Sequence, residues 1–359
     1  MFFWILLYFI YILIFFSASI FLSEKNKKYT AILLLSILTL FSAFRYGIGV
    51  DYFSYETLYY SDFTYKEPFF DFVISILRSV GFSSQMMFFV YACLTSFCYW
   101  QAITSYFSKA QHYLLSVMLY AVIDTLWLFS MNGMRQGLSV VLIFWAVSFL
   151  FKKQFKKFIL LWIFAVLGHY AAIITLIMVA FYKINIRKPI HIIIMIFGFF
   201  LGTYVNLGDA LIPILYWCND VFGIGLKYVN YLTLLTQDSI VREGGTGLGI
   251  IFTVIISILI ILFLDKKIEL NNFICNMLTV AIVIKSFFWF SEAFIRLRGF
   301  FEIFLVLGIV VGLERFSKKH RVYLALVLIL IYSIMELNYL NGLSKDYEIT
   351  YIMNFNLLD

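Results

Sequence analysis

The residues best able to do chemistry stand at the edge of an apolar run, in Arg45-Tyr46-Gly47-Ile48-Gly49-Val50-Asp51-Tyr52. A guanidinium presents a planar fork of N–H donors that fits phosphate or carboxylate, and a carboxylate close by can take a proton. Tyr52, Tyr55, Tyr59, Tyr60 and Tyr65 follow, giving rings with polar tips at a boundary between lipid and water. Three further sets have the same character. Asn132, Arg135 and Gln136 fall within Ser130–Gly137, His169 follows Gly168, and Glu292, Arg296 and Arg298 form the last set, with Lys285 one heptad before Glu292.

Each set also has a plain structural explanation. Arg45 and Arg135 at span ends can snorkel to the interface. His169 can be a hydrogen-bonded core residue, and Glu292 and Arg296, spaced i, i+4, can be a helix ion pair. Asp124 can pair with Arg135, and the tyrosines can form an interface belt. What favours chemistry is the number of arginines, Arg45, Arg135, Arg242, Arg296 and Arg298, on the face that the positive-inside trend leaves poor in them. A charge within a span costs about 2.5–3.5 kcal/mol on insertion scales, so such groups face a cavity or a partner. An outward site for an anionic lipid, a lipid diphosphate, follows.

The elements that must hold these residues are membrane helices. Hydrophobic residues make up 63% of the 359, charged residues 13%, and mean hydropathy is +0.95, which excludes a soluble globule. The apolar runs have the length of membrane-crossing helices and lack two-residue alternation, so an all-α polytopic bundle is expected. The net charge of +7 comes from short basic clusters between these runs, as in cytoplasmic loops, and does not point to nucleic acid. The clusters are Lys25/Lys27/Lys28, Lys152/Lys153/Lys156/Lys157, Lys183/Arg187/Lys188, Lys266/Lys267 and Arg315/Lys318/Lys319/Arg321.

Placing all five inside gives spans at Met1–Leu22, Tyr29–Phe44, Met86–Phe107, His112–Phe129, Gln136–Phe151, Pro189–Asn206, Leu248–Leu264, Leu270–Ser291, Arg296–Glu314 and Val322–Leu340, with both termini outside. Met1–Leu22 lacks a basic start and a cleavage site, so it reads as a span and not a signal peptide. Residues 45–85 form an outside loop carrying an interfacial helix at Phe69–Val80, Ser130–Arg135 an outside turn, and 207–247 a long outside loop. Residues 158–182 read as a broken, re-entrant hairpin tipped by Gly168-His169, because a single crossing would invert every later loop. The expectation is one transmembrane domain over 1–359 with ten full spans and two partial ones.

Cys93, Cys98, Cys218 and Cys275 suggest neither a disulfide framework nor a zinc site. No metal site is expected. Gly244–Gly249 lacks the ending of a phosphate loop.

Taken in order, Arg45-Tyr-Gly-Ile-Gly-Val-Asp51-Tyr52…Tyr55, Asn132-Gly-Met-Arg135-Gln136-Gly, a lysine-rich loop before Gly168-His169, and Arg296…Arg298-Gly-Phe-Phe resemble the EpsG family of exopolysaccharide polymerases, similar in role to Wzy-type O-antigen and capsule polymerases. Val50, Tyr170 and Phe300-Phe301 depart from the family pattern. The resemblance implies a GT-C-like, multi-pass glycosyltransferase of the bacterial inner membrane. It would move a growing glycan from undecaprenyl diphosphate onto an incoming lipid-linked repeat unit, without cofactor or metal. Membrane lipid, a chain-length regulator and export proteins are the other expected partners. In that scheme Arg45, Arg135 and Arg296 or Arg298 hold the diphosphate, and Asp51 or His169 is the base. Tyr52, Tyr55, Asn132, Gln136 and Glu292 contact substrate. A flippase of lipid-linked oligosaccharide and a membrane O-acyltransferase are the alternatives.

Overall fold

The computed structural model describes residues 1–62, 67–204, 213, 216, 217, 220, 247–287, 292–344 and 351–358. It divides into two compact units, one of Met1–Ile177 with Ile309–Asp359, the other of Met178–Gly308.

In the first unit α1 (Phe2–Phe21) and α2 (Glu24–Ala43) meet at a tight joint where Ser23 caps α2, its side chain accepting from the Asn26 N–H, with Glu24 against the positive helix end. β1 (Arg45–Tyr46), α3 (Tyr52–Tyr60) and α4 (Pro68–Ser79) follow. Proline at the start of α4, Asp71 in its first turn and Arg78 in its last suit the helix dipole, and Phe70, Ile74 and Leu77 form its buried face. This is the short separate helix expected at Phe69–Val80. Next come α5 (Ser84–Tyr106), α6 (Ala110–Val122), α7 (Trp127–Asn132), α8 (Met134–Phe151) and α9 (Phe155–Gly168), then a 3₁₀ segment, Tyr170–Leu176, and α10 (Ile177–Phe181). Buried over most of its length, α8 packs on α5, α7 and α9.

The expected single crossing His112–Phe129 is not continuous: the chain leaves helical geometry at Ile123 and resumes at Trp127. Ser130–Arg135 is not an open turn either, since Ser130–Asn132 finish α7 and Met134 and Arg135 begin α8 around a break at Gly133. Gly137 permits this folding back, because a Cβ there would come 2.6 Å from the Ser130 Cβ. The break expected at Gly168-His169 is present, with His169 extended between α9 and the 3₁₀ segment.

The second unit contains α11 (Lys188–Tyr204), α12 (Leu248–Phe263), α13 (Glu269–Phe287) and α14 (Glu292–Glu302), with α13 packed on the other three. After α15 (Phe304–Leu313) the chain enters α16 (Lys318–Leu343), capped by Ser317, and ends in β2 (Ile352–Met353). β2 runs antiparallel to β1, Arg45 opposite Met353 and Tyr46 opposite Ile352, so the tail is not loose but straps the first sequence motif. Tyr351 reinforces the strap by donating to the Phe41 carbonyl at 2.6 Å and stacking on Phe3.

Among the described residues, five helices, α1, α5, α8, α13 and α16, are long and apolar enough to cross a membrane, and α11 and α12 are shorter apolar helices. The chain is a multi-pass helical membrane protein. The loop expected at 207–247, with Arg242 and Cys218, lies outside the described residues apart from residues 213, 216, 217, 220 and 247.

Candidate active site

Just past the end of α2, the start of β1 delivers Arg45 inward, to 2% exposure. The guanidinium donates to three carbonyls: Ser42, Met131 at 2.7 Å and Ile48 at 3.2 Å. Its centre lies 4.5 Å from the Phe88 ring. Burial pulls Arg45 down to about 10, so it is still a cation at neutral pH. The loop it grips turns at Gly47 (φ +67°) and Gly49 (φ +102°), a region side chains avoid. At Gly49 an added Cβ would also press within 3.3 Å of the Asn132 Cα. Asn132 then accepts the Asp51 N–H at 2.9 Å. The first two sequence motifs are thus one structure, with Arg45 as its brace.

Beside it lies a charged group of three. Glu67, just before α4, places Oε1 2.8 Å from Nδ1 of His169 and Oε2 against Nη1 of Arg135. Arg135 also donates from Nε to the Tyr55 hydroxyl at 3.3 Å and lies over the Tyr55 and Phe70 rings. Burial works to raise the Glu67 carboxyl, but the His169 hydrogen bond and the Arg135 charge outweigh it and hold the group below its ordinary value. The carboxylate is therefore ionised at neutral pH. The side chains of Glu67 and Arg135 are 8% and 11% exposed, and that of His169 is 20% exposed, the most open of the three. Local packing sets the imidazole: Ser139 of α8 donates to Ala165 of α9 at 2.8 Å, and a Cβ on Gly168 would sit 3.0 Å from the Ser139 Oγ.

A second charged group occupies the other unit. Glu302 meets Arg298 one turn back at 2.7 Å and Lys285 of α13 at 3.6 Å, while Lys285 donates to Thr253 at 3.0 Å. All three ionic side chains are at most 8% exposed.

Compared with known families, residues 28–353 match the model of the EpsG family. The chain belongs to the EpsG family. No curated protein and no solved structure matches it. Its membership and apolar helices make it a membrane protein of the polysaccharide-polymerase type.

In this EpsG-family protein the sequence-derived residues separate into distinct roles. Arg135 and His169 come together, joined by Glu67, while Asp51 is tied to Asn132 through its backbone. Tyr52 is buried, stacked on Phe88 and donating to Gln85, and Tyr55 is buried under Arg135. Both rings face inward, whereas Phe53 on the same helix is 52% exposed. Gln136 is buried on α8. Arg135 pairs with Glu67. Arg296 and Arg298 lie on α14, which Glu292 opens; the Glu292 side chain is outside the described residues. The i, i+4 ion pair seen on that helix is Arg298–Glu302.

Two carboxylates escaped the sequence reading. Glu67 was legible only as the last acidic residue of a tyrosine-rich tract before a proline. Glu302 stands four residues after Arg298, a spacing as regular as the one noticed at Glu292 and Arg296.

Proposed function

We propose that this protein is a Wzy-type polymerase that transfers a growing glycan from undecaprenyl diphosphate to the terminal sugar hydroxyl of a lipid-linked repeat unit, at the outer face of the bacterial inner membrane. The observation that carries the reading is Glu67 bridging His169 and Arg135. With Glu67 ionised, Nδ1 of His169 holds the proton it shares with Oε1, and Nε2 is left as the base. The acceptor hydroxyl gives its proton to Nε2 as its oxygen bonds to the anomeric carbon. The bond from that carbon to the diphosphate oxygen breaks, and its electron pair leaves with the lipid diphosphate. Arg135 stands beside the imidazole to meet that developing charge, which is where a fixed cation lowers the barrier.

Arg45 then acts by bracing the loop, and Asp51, held by Asn132, lines its mouth. An open recess of about 490 Å³ on α3, lined by Phe53, Ser54, Thr57, Leu58 and Ser61, offers hydroxyls and an exposed ring to a sugar. Ten crossings, an interfacial α4 and a re-entrant 158–182 would set this group at the outer surface in a GT-C-like frame. A chain-length regulator and export proteins would take the product onward.

Purified protein in detergent, given lipid-diphosphate-linked repeat units, should lengthen them into a ladder on gels. A flippase cannot do this. Absence of a ladder, with substrate bound, would exclude the polymerase reading.

A further inference from the structure

The two arginines of the candidate site are balanced differently. Arg135 meets the Glu67 carboxylate, whereas Arg45 meets only carbonyls and the face of Phe88. Among the described residues no carboxylate comes within ion-pair distance of Arg45. A guanidinium has five N–H groups, and three are in use: Nε on Ile48, Nη1 on Ser42 and Nη2 on Met131. Two remain. A cation with donors to spare, closed off from water at 2% exposure, is costly unless negative charge comes to share it.

Arg45 lines a small cavity between α2, α5 and α7, together with Ser42, Phe88, Tyr91, Trp127 and Ser130. The centre of a water-sized sphere has about 10 Å³ of freedom inside it, so one monatomic ion fits and a diphosphate does not. No acidic residue lines it. Tyr91 of α5 is 1% exposed, and its hydroxyl has no hydrogen-bond partner. A buried hydroxyl left unbonded loses its hydration for nothing, which points to a ligand or a water. Contacts with Phe69 and Phe70, 6.3 and 5.9 Å between ring centres, hold the phenol in place. From α2, the Ser42 hydroxyl accepts the Trp127 indole N–H at 2.8 Å, and its own proton has no acceptor among the described residues. Ser130 instead gives its proton to the Trp127 carbonyl at 2.6 Å. The lining is thus rich in donors, carries a cation and lacks an acid. That is the chemistry of an anion site, because hydrogen bonds to a charged acceptor are the strong ones.

We propose that the cavity behind Arg45 binds one monatomic anion, chloride, held by the guanidinium and by the hydroxyls of Tyr91 and Ser42. The same guanidinium holds the carbonyls of Ile48 and Met131, so chloride would balance the brace from behind and stiffen the loop that carries Asp51.

The test reads stability, so it stands apart from the polymerase reading. The unfolding temperature of the full-length protein in detergent is measured at constant neutral pH from low to high sodium chloride, with sodium gluconate keeping the ionic strength fixed. A rise of several degrees with chloride is expected, since a ligand of the folded state stabilises in proportion to the logarithm of its concentration above its dissociation constant. Bromide should act as chloride does, whereas gluconate is too large to enter. Tyr91→Phe keeps the ring and removes one donor, so the midpoint of the response should move roughly tenfold toward higher chloride. Should that variant not fold, the wild-type chloride and bromide series against gluconate decide alone. A temperature that does not change as chloride replaces gluconate overturns the site, as does a response unmoved in Tyr91→Phe. A flat series in which Tyr91→Phe is less stable than wild type would assign the cavity to water, and overturns it as well.

Discussion

Each unit contains a buried acidic side chain held between two basic ones, Glu67 between Arg135 and His169 in the first and Glu302 between Arg298 and Lys285 in the second. They are not equivalent. Glu302 gathers partners from its own helix and the one before it, and every member is almost fully enclosed. Glu67 gathers partners 68 and 102 residues away, and one of them is an imidazole with access to solvent. Charge balance alone is a structural device. Charge balance that fixes a titratable ring at a broken helix end is what the proposed proton transfer requires.

The comparison breaks most sharply at its acids. Glu67→Gln removes the charge that fixes the His169 ring, so turnover of lipid-linked repeats should fall by about 10²–10⁴-fold while the protein still folds. Retained turnover would reduce the first group to the status of the second. Glu302→Gln should do the reverse. Removing the acid from a buried pair costs on the order of 3–5 kcal/mol, so thermal unfolding in detergent should shift well downward, with turnover per folded molecule kept.

A smaller effect is expected at Arg135. Lysine keeps the charge but cannot serve Glu67 and Tyr55 from one planar group, and losing a charged hydrogen bond of about 1.5–3 kcal/mol predicts roughly a ten- to hundredfold slower reaction. Single-turnover rates would show it. A wild-type rate in Arg135→Lys would make this arginine a mere point charge.

Acid should affect the Glu67 contribution least. Because its carboxyl is held below the unfolded value, the stability it adds is complete above about pH 4.3 and is lost only as pH falls through the lower folded value. The unfolding-temperature difference between wild type and Glu67→Gln should therefore not shrink from pH 7 to 5. A difference that shrank over that range would mean that Glu67 is not held as an ionised partner.

Much of this was legible beforehand because it is local. The Gly168-His169 break and the short helix near Phe69–Val80 follow from residues close in sequence. Three things were not legible. Glu67 looks ordinary until the chain brings segments 68 and 102 residues distant to it. The break after α6 occurs at Ile123-Asp124-Thr125-Leu126, which has no glycine or proline to announce it. The strap formed by β2 involves only two residues on each strand, far too few for an alternating pattern.

The most direct test is a double-mutant cycle on single-turnover rates with Glu67→Gln, His169→Gln and the pair. If Glu67 works only by orienting and charging against the imidazole, the double variant should be no slower than His169→Gln alone, and both should lose the acidic limb of the pH–rate profile together. Losses that multiply, with the limb intact in His169→Gln, would contradict a proton transfer through His169.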